Sequence, residues 1–85
     1  MDEIYNMIEE LIRASGYPLE VSGFDIYNEI CDEVDGKENG SYIFMSKHDN
    51  NDIFEYTLTI YDDNFNLGSL SIRTLEGKTY FINFD

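Results

Sequence analysis

The chain has 85 residues, of which 42% are hydrophobic and 15% aromatic. This is enough for one small domain, residues 1–85, and too apolar for a disordered chain. With 18 acidic and five basic residues the net charge is −13, so direct binding to nucleic acid or anionic lipid is close to excluded, because phosphates attract Lys and Arg.

The N-terminal segment has the periodicity of an amphipathic helix over residues 2–14. Its apolar stripe consists of Ile4, Met7, Ile8, Leu11 and Ile12. Ser15-Gly16 and then Pro18 form a helix stop signal. The alternating residues 17–23 predict a short edge strand, because Pro18 cannot donate a hydrogen bond to a sheet ladder.

The segment Phe24–Val34 is compatible with two structures. A helix would align Phe24, Tyr27, Cys31 and Val34, whereas a strand would align Phe24, Ile26, Ile30 and Val34. The periodicity slightly favours the helix. The context favours the strand, because a turn cluster at residues 35–40 and a clear strand follow. We predict a strand, with the helix as the alternative.

The rest of the chain predicts an antiparallel meander with strands at residues 41–47, 53–61, 67–75 and 79–84. Its covered face would consist of Phe54, Tyr56, Leu58, Ile60, Leu70, Ile72, Tyr80 and Ile82. The predicted fold class is therefore α+β, with the N-terminal helix packed on an antiparallel meander sheet of five or six strands.

One acidic turn resembles the start of a calcium-binding loop, with Asp62, Asn64 and Asn66 at alternating positions. A complete loop needs Gly at its sixth position and Glu at its twelfth. Those positions hold Leu67 and Arg73. We therefore predict an ordinary polar turn with no metal site.

The sequence also lacks a catalytic motif. His48 stands beside Asp49 but has no recognisable nucleophile, and one histidine is too few for a typical zinc site. We predict that His48 is an exposed turn residue. Cys31, the single cysteine, lies among acidic residues that disfavour the thiolate. We predict no enzymatic activity and no cofactor; a small hydrolase or metal binder is the weaker alternative.

The lone thiol, the acidic N-terminus and the absence of a long apolar run predict a cytoplasmic protein with no membrane segment. Acidic residues are densest between Glu20 and Glu38. A charge of −13 exceeds the magnitude of roughly 2–8 that keeps a small domain soluble. Because excess like charge destabilises the compact state, we infer that the charge has a function. Its simplest use is to occupy a basic groove that normally holds nucleic acid.

The N-terminal half resembles small phage-encoded anti-CRISPR proteins that inhibit Cas9 by imitating DNA. The similarity covers residues 4–47. It consists of the amphipathic helix, the pattern Tyr17-x-Leu19-x-Val21-Ser22-Gly23-x-Asp25, the acidic turn at 35–40 and a strand beginning at Tyr42. The resemblance implies that Phe24–Val34 is a strand and that Asp35, Glu38 and Asn39 contact the target.

The predicted function is therefore a non-enzymatic acidic inhibitor of a bacterial antiviral nuclease such as Cas9, acting in the host cytoplasm if it is phage-encoded. The partner would be a basic nucleic-acid-binding protein. The predicted contact residues are Asp25, Glu29, Asp32, Glu33, Asp35, Glu38 and Asn39. The alternatives are an immunity protein for a nuclease toxin and an acidic accessory or structural module.

Overall fold

A computed structural model describes residues 2–48, 50–62 and 64–84, with only the backbone of Asp2. The chain divides into two compact units, Met1–Gly36 and Lys37–Asp85. The first unit holds the helices α1 (Asp2–Ala14) and α2 (Gly23–Val34). The second holds the strands β1 (Gly40–Lys47), β2 (Ile53–Tyr61), β3 (Asn64–Arg73) and β4 (Thr79–Asn83).

Helix α1 has the predicted bounds. Ile8 and Ile12, one turn apart on the predicted apolar stripe, are buried. Arg13 stands in the last turn, where the helix dipole favours a cation. The helix ends where Ser15 donates its hydroxyl to the carbonyl oxygen of Ile12 at 2.6 Å and Gly16 adopts a positive φ of 95°.

The prediction of a strand over Phe24–Val34 is wrong, as is the strand that the resemblance implied there. The segment forms α2 because Ser22 caps it: the Ser22 hydroxyl accepts the Asp25 N–H at 3.2 Å. Ile26 and Ile30 are buried one turn apart. The cluster that was interpreted as a hairpin turn ends the helix instead, with Gly36 at φ 77°.

The predicted edge strand over residues 17–23 is also wrong. Residues 17–22 connect the two helices, and Gly23 already belongs to α2. Tyr17 is buried in this connection. Because neither this segment nor Phe24–Val34 is extended in a ladder, the sheet has four strands in the described part of the chain rather than five or six.

The two helices approach each other at Gly23. A Cβ atom there would lie 2.1 Å from the carbonyl oxygen of Tyr5, so only glycine fits. Glu9 of α1 accepts the Gly23 N–H on its Oε2 atom at 2.8 Å. The Tyr5 ring meets the Phe24 and Tyr27 rings edge-on, with centroids 5.4 and 5.5 Å apart. These contacts define the geometry of the helical hairpin.

The second unit is a meander, with the strand order β1-β2-β3-β4 and all neighbours antiparallel. One row of neighbours across it is Phe44, Tyr56, Leu70 and Ile82. The predicted covered face is confirmed, with seven of its eight residues buried and Tyr80 half-buried. Strand β3 begins earlier than predicted, because Asn64 already pairs with Tyr61.

None of the helices in the described ranges is long and apolar enough to cross a membrane. The packing of α1 on the sheet stays a prediction.

Candidate partner-binding surface on the second helix

One side of α2 carries most of the predicted contact residues. Asp25, Glu29 and Asp32 follow one another at helical spacing, within an arc of about 60°, and Glu33 lies beside Glu29. At about 100° per residue, the mean direction of Asp25, Glu29 and Asp32 lies about 110° around the helix axis from that of the buried Ile26 and Ile30. Asp25, Asp32 and Glu33 are exposed and Glu29 is half-buried. We call these four residues, with Asp35 at the C-cap, the acidic face of α2.

Most carboxylates of the acidic face form no polar contact within the described part of the chain. In the described ranges of the chain, the side chains of Asp25, Asp32, Glu33 and Asp35 form no hydrogen bond or ion pair. Glu9 differs, since its carboxylate accepts the Gly23 N–H at 2.8 Å. The acids of this protein therefore include structural ones and ones that are available to a partner.

The C-terminal end of α2 carries acidic residues, although the helix dipole favours cations there. Asp32 and Glu33 lie in the last turn and Asp35 is the C-cap, with no basic residue in that turn. Because the C-terminus of a helix carries partial negative charge, each such acid costs about 0.3–1 kcal/mol at low salt. Helix α1, by contrast, has Arg13 in its last turn. Local stability therefore does not explain this placement.

The spacing of the acidic face is close to that of nucleic-acid phosphates. Residues 25–35 span about 15 Å along the helix axis, at 1.5 Å per residue, and include five carboxylates. Their mean axial separation is thus about 4 Å, against about 3.4 Å per phosphate along one strand of DNA. The acidic face can therefore present charge at nearly the density of a single DNA strand.

The net charge is concentrated in the helical unit. Met1–Gly36 contains ten acids and one base, for a net charge of −9, whereas Lys37–Asp85 contains eight acids and four bases, for −4. The smaller unit has 36 residues and the larger 49, so the difference is not one of size. The helical unit is the stronger electrostatic ligand for a cationic surface.

Two predicted contact residues belong to the sheet unit instead. The side-chain amide oxygen of Asn39 accepts the Asp62 N–H at 3.1 Å. The carbonyl oxygen of Glu38 accepts the Tyr42 hydroxyl at 2.7 Å. The structure therefore brings five of the seven predicted residues together on α2, and gives Asn39 a structural role that the sequence did not reveal.

His48 is half-buried rather than exposed as predicted. Its ring stacks on the Phe54 ring, with centroids 3.8 Å apart and planes 10° apart. The backbone N–H of His48 donates to the carbonyl oxygen of Asp52 at 2.9 Å. Asp52 is itself buried, and its Oδ2 atom accepts the side-chain amide of Asn50 at 3.0 Å. This arrangement organises the β1–β2 turn. Asp49, the neighbour of His48 in the sequence, lies outside the described residues.

Cys31 lies beside the acidic face but is a poor nucleophile. Burial is the largest influence and raises the pKa of its thiol; the hydrogen bond with Tyr27 lowers that pKa by less, and the negative charge of Asp32 adds a still smaller increase. Burial likewise raises the pKa of Tyr27. Both groups are therefore protonated at neutral pH, and the side of α2 next to the acids gains no negative charge from them.

No group of three or more His, Cys, Asp or Glu residues in the described ranges is arranged to hold a metal ion. The positions that resembled a calcium loop have another role, since Asn64 and Asn66 belong to β3 and pair with β2.

Comparisons with protein-family models, curated proteins and solved structures find no match to this chain.

Proposed function

We propose that this protein is a non-enzymatic inhibitor whose acidic face on α2 occupies the nucleic-acid groove of a basic protein. The observation that carries the proposal is a row of carboxylates, four of which form no hydrogen bond or ion pair in the described ranges and three of which stand at the helix end where the dipole disfavours negative charge. A natural sequence retains such a placement at a cost in stability, which selection for a partner would explain.

The proposed mechanism is competition with nucleic acid. Arg and Lys side chains that line a groove would form charge-assisted hydrogen bonds to the carboxylates in place of phosphates. The charge of −9 on the helical unit would steer the two proteins together and raise the association rate at low salt. A bacterial antiviral nuclease is the proposed class of target, and Cas9 loaded with guide RNA is the first to test, because of the resemblance in the N-terminal half.

An immunity protein for a nuclease toxin would use the same physics, and it differs only in the identity of the partner. Capture of partners from a bacterial lysate on the immobilised protein, with elution by salt and identification by mass spectrometry, separates the two. An accessory module would be captured with an active assembly whose nucleic-acid binding it does not block.

The direct test measures displacement of labelled target DNA from Cas9, or from the captured nuclease, by the full chain. Asp32→Asn with Glu33→Gln removes two charges with almost no change in shape, and Glu10→Gln with Glu76→Gln is the control at equal net charge. All four residues are exposed. We expect the first variant to weaken displacement tenfold or more, which is about 1.4 kcal/mol, and the control to match the parent.

Two results would contradict the proposal. Equal loss in the α2 variant and the control would mean that only net charge matters and that the acidic face is not the binding surface. Binding of the parent without displacement of DNA would reject competition for the groove. The affinity should also fall steeply as the Debye length shortens, from about 30 Å at 0.01 M salt to about 8 Å at 0.15 M.

A further inference from the structure

The helical unit contains a groove of about 410 Å³ beside α1. This volume lies within the range of about 300–1,000 Å³ that is typical of ligand sites. Its lining includes Glu9, Ile12, Arg13, Leu19, Glu20 and Val21. It is formed by the C-terminal half of α1 and the connection to α2, so it is separate from the acidic face.

The walls combine aliphatic surface with two carboxylates and the guanidinium of Arg13. Ile12 is buried, whereas Leu19 is 49% exposed although it is apolar. Glu9 has one oxygen atom, Oε2, occupied by the Gly23 N–H, which leaves Oε1 able to accept from a ligand. Glu20 is exposed and forms no hydrogen bond or ion pair in the described ranges.

This combination fits a long side chain with an aliphatic stem and a cationic end. A guanidinium group suits it better than an ammonium group, for two reasons. The planar guanidinium has five donors, so it can bind two carboxylates at once. It is also more weakly hydrated than an ammonium group, so less hydration is lost when the side chain lies along apolar surface. Arg13, in the same lining, can donate to a main-chain carbonyl oxygen of the incoming segment.

We propose that the groove beside α1 binds an arginine side chain of a protein partner, with its stem against Leu19 and Val21 and its guanidinium between Glu9 and Glu20. The argument uses none of the carboxylates of the acidic face, so this site can exist whether or not that face imitates nucleic acid. If the partner is basic, binding in the groove depends on the shape of the partner's side chain as well as on its charge.

The test uses the ¹⁵N-labelled full chain and three small probes at low salt, followed by amide chemical shifts. The probes are N-acetyl-arginine methylamide, the corresponding lysine compound and the uncharged norleucine compound. We expect the arginine probe to give saturable shifts at residues 9–13 and 19–23, the lysine probe to bind more weakly and the norleucine probe not to bind. Glu20→Gln should weaken the arginine probe about two- to fivefold, and Glu10→Gln should have no effect.

Three results would overturn the proposal. The first is that the arginine probe shifts amides of the acidic face of α2 with the same titration midpoint as those of the groove. Such a result would mean that the probe is attracted to negative charge in general. The second is equal binding of the lysine and arginine probes. The third is an unchanged titration in the Glu20→Gln variant. None of them bears on DNA displacement, so the two proposals fail separately.

Discussion

Reversal of charge at the end of α2 should make the protein more stable while it destroys partner binding. Asp32→Lys with Glu33→Lys replaces two acids that oppose the helix dipole by two cations that complement it. Each replacement removes a cost and adds a gain of about 0.3–1 kcal/mol at low salt. Because both residues are exposed, screening favours the lower part of that range, and the sum is about 1–2 kcal/mol.

A gain of this size raises the Tm of a domain of this length by about 4–16 °C, at about 4–8 °C per kcal/mol. The measurement is thermal unfolding followed by circular dichroism of the helix signal, at low and at high salt. The control, Glu10→Lys with Glu76→Lys, changes the net charge from −13 by the same amount but leaves α2 unaltered. It measures the relief of general self-repulsion, and the difference between the variants isolates the dipole.

The same variants are then tested for displacement of nucleic acid from the partner. We expect the α2 variant to lose tenfold or more in affinity for each reversal, about 1.4 kcal/mol each, although it is the more stable protein. Unfolding therefore cannot explain the loss. A Tm equal to or below that of the control would refute the argument that these acids oppose their helix, and retained affinity would remove them from the binding surface.

Gly23→Ala should destabilise the helical hairpin by about 1–3 kcal/mol or more, because its Cβ would lie 2.1 Å from the Tyr5 carbonyl oxygen; chemical denaturation measures this, and an unchanged midpoint would contradict the close approach. Leu58→Ala, in the buried face of the sheet, should cost about 2–5 kcal/mol, whereas Ile43→Ala, at a side chain that is 65% exposed, should stay within about 0.5 kcal/mol. The pKa of Cys31 is raised above 9.0 in the folded protein, so its contribution to stability is present below pH 9 and is lost as the pH rises above it. Alkylation at pH 8 should accordingly be slower in the native than in the denatured protein, and equal rates would contradict the raised pKa.

The sequence by itself determined the elements whose hydrophobic pattern fits only one kind of secondary structure. The stripe that includes Ile8 and Ile12 has only the helical period, and the alternation of β2 has only the period of a strand. The bounds of α1 and β2 and the covered face of the sheet were accordingly predicted correctly. The excess of acids in the first half was equally visible, because charge is additive along a chain.

For α2, the sequence contained the deciding signal but the surrounding turn residues outweighed it. Ser22 followed three residues later by Asp25 is a helix N-cap pattern, and an N-cap accepts backbone N–H groups that a strand would give to a neighbour. Gly36 suits the end of a helix as well as a hairpin turn, since both require a positive φ. The turn residues after the segment therefore fit either structure, whereas the Ser22 cap and the close approach of Gly23 to Tyr5 are features of the helix.

Only the tertiary structure decided which acids are available to a partner. Glu9 and Glu33 are alike in sequence, both inside acidic amphipathic segments. One accepts the backbone N–H of Gly23, fourteen residues away, whereas the other forms no hydrogen bond with any residue that the structure describes. Composition counts carboxylates, but a hydrogen bond between distant residues exists only once the chain is folded. The acidic face of α2 was therefore visible in the sequence as charge, and became a surface only when the helix placed its carboxylates on one side.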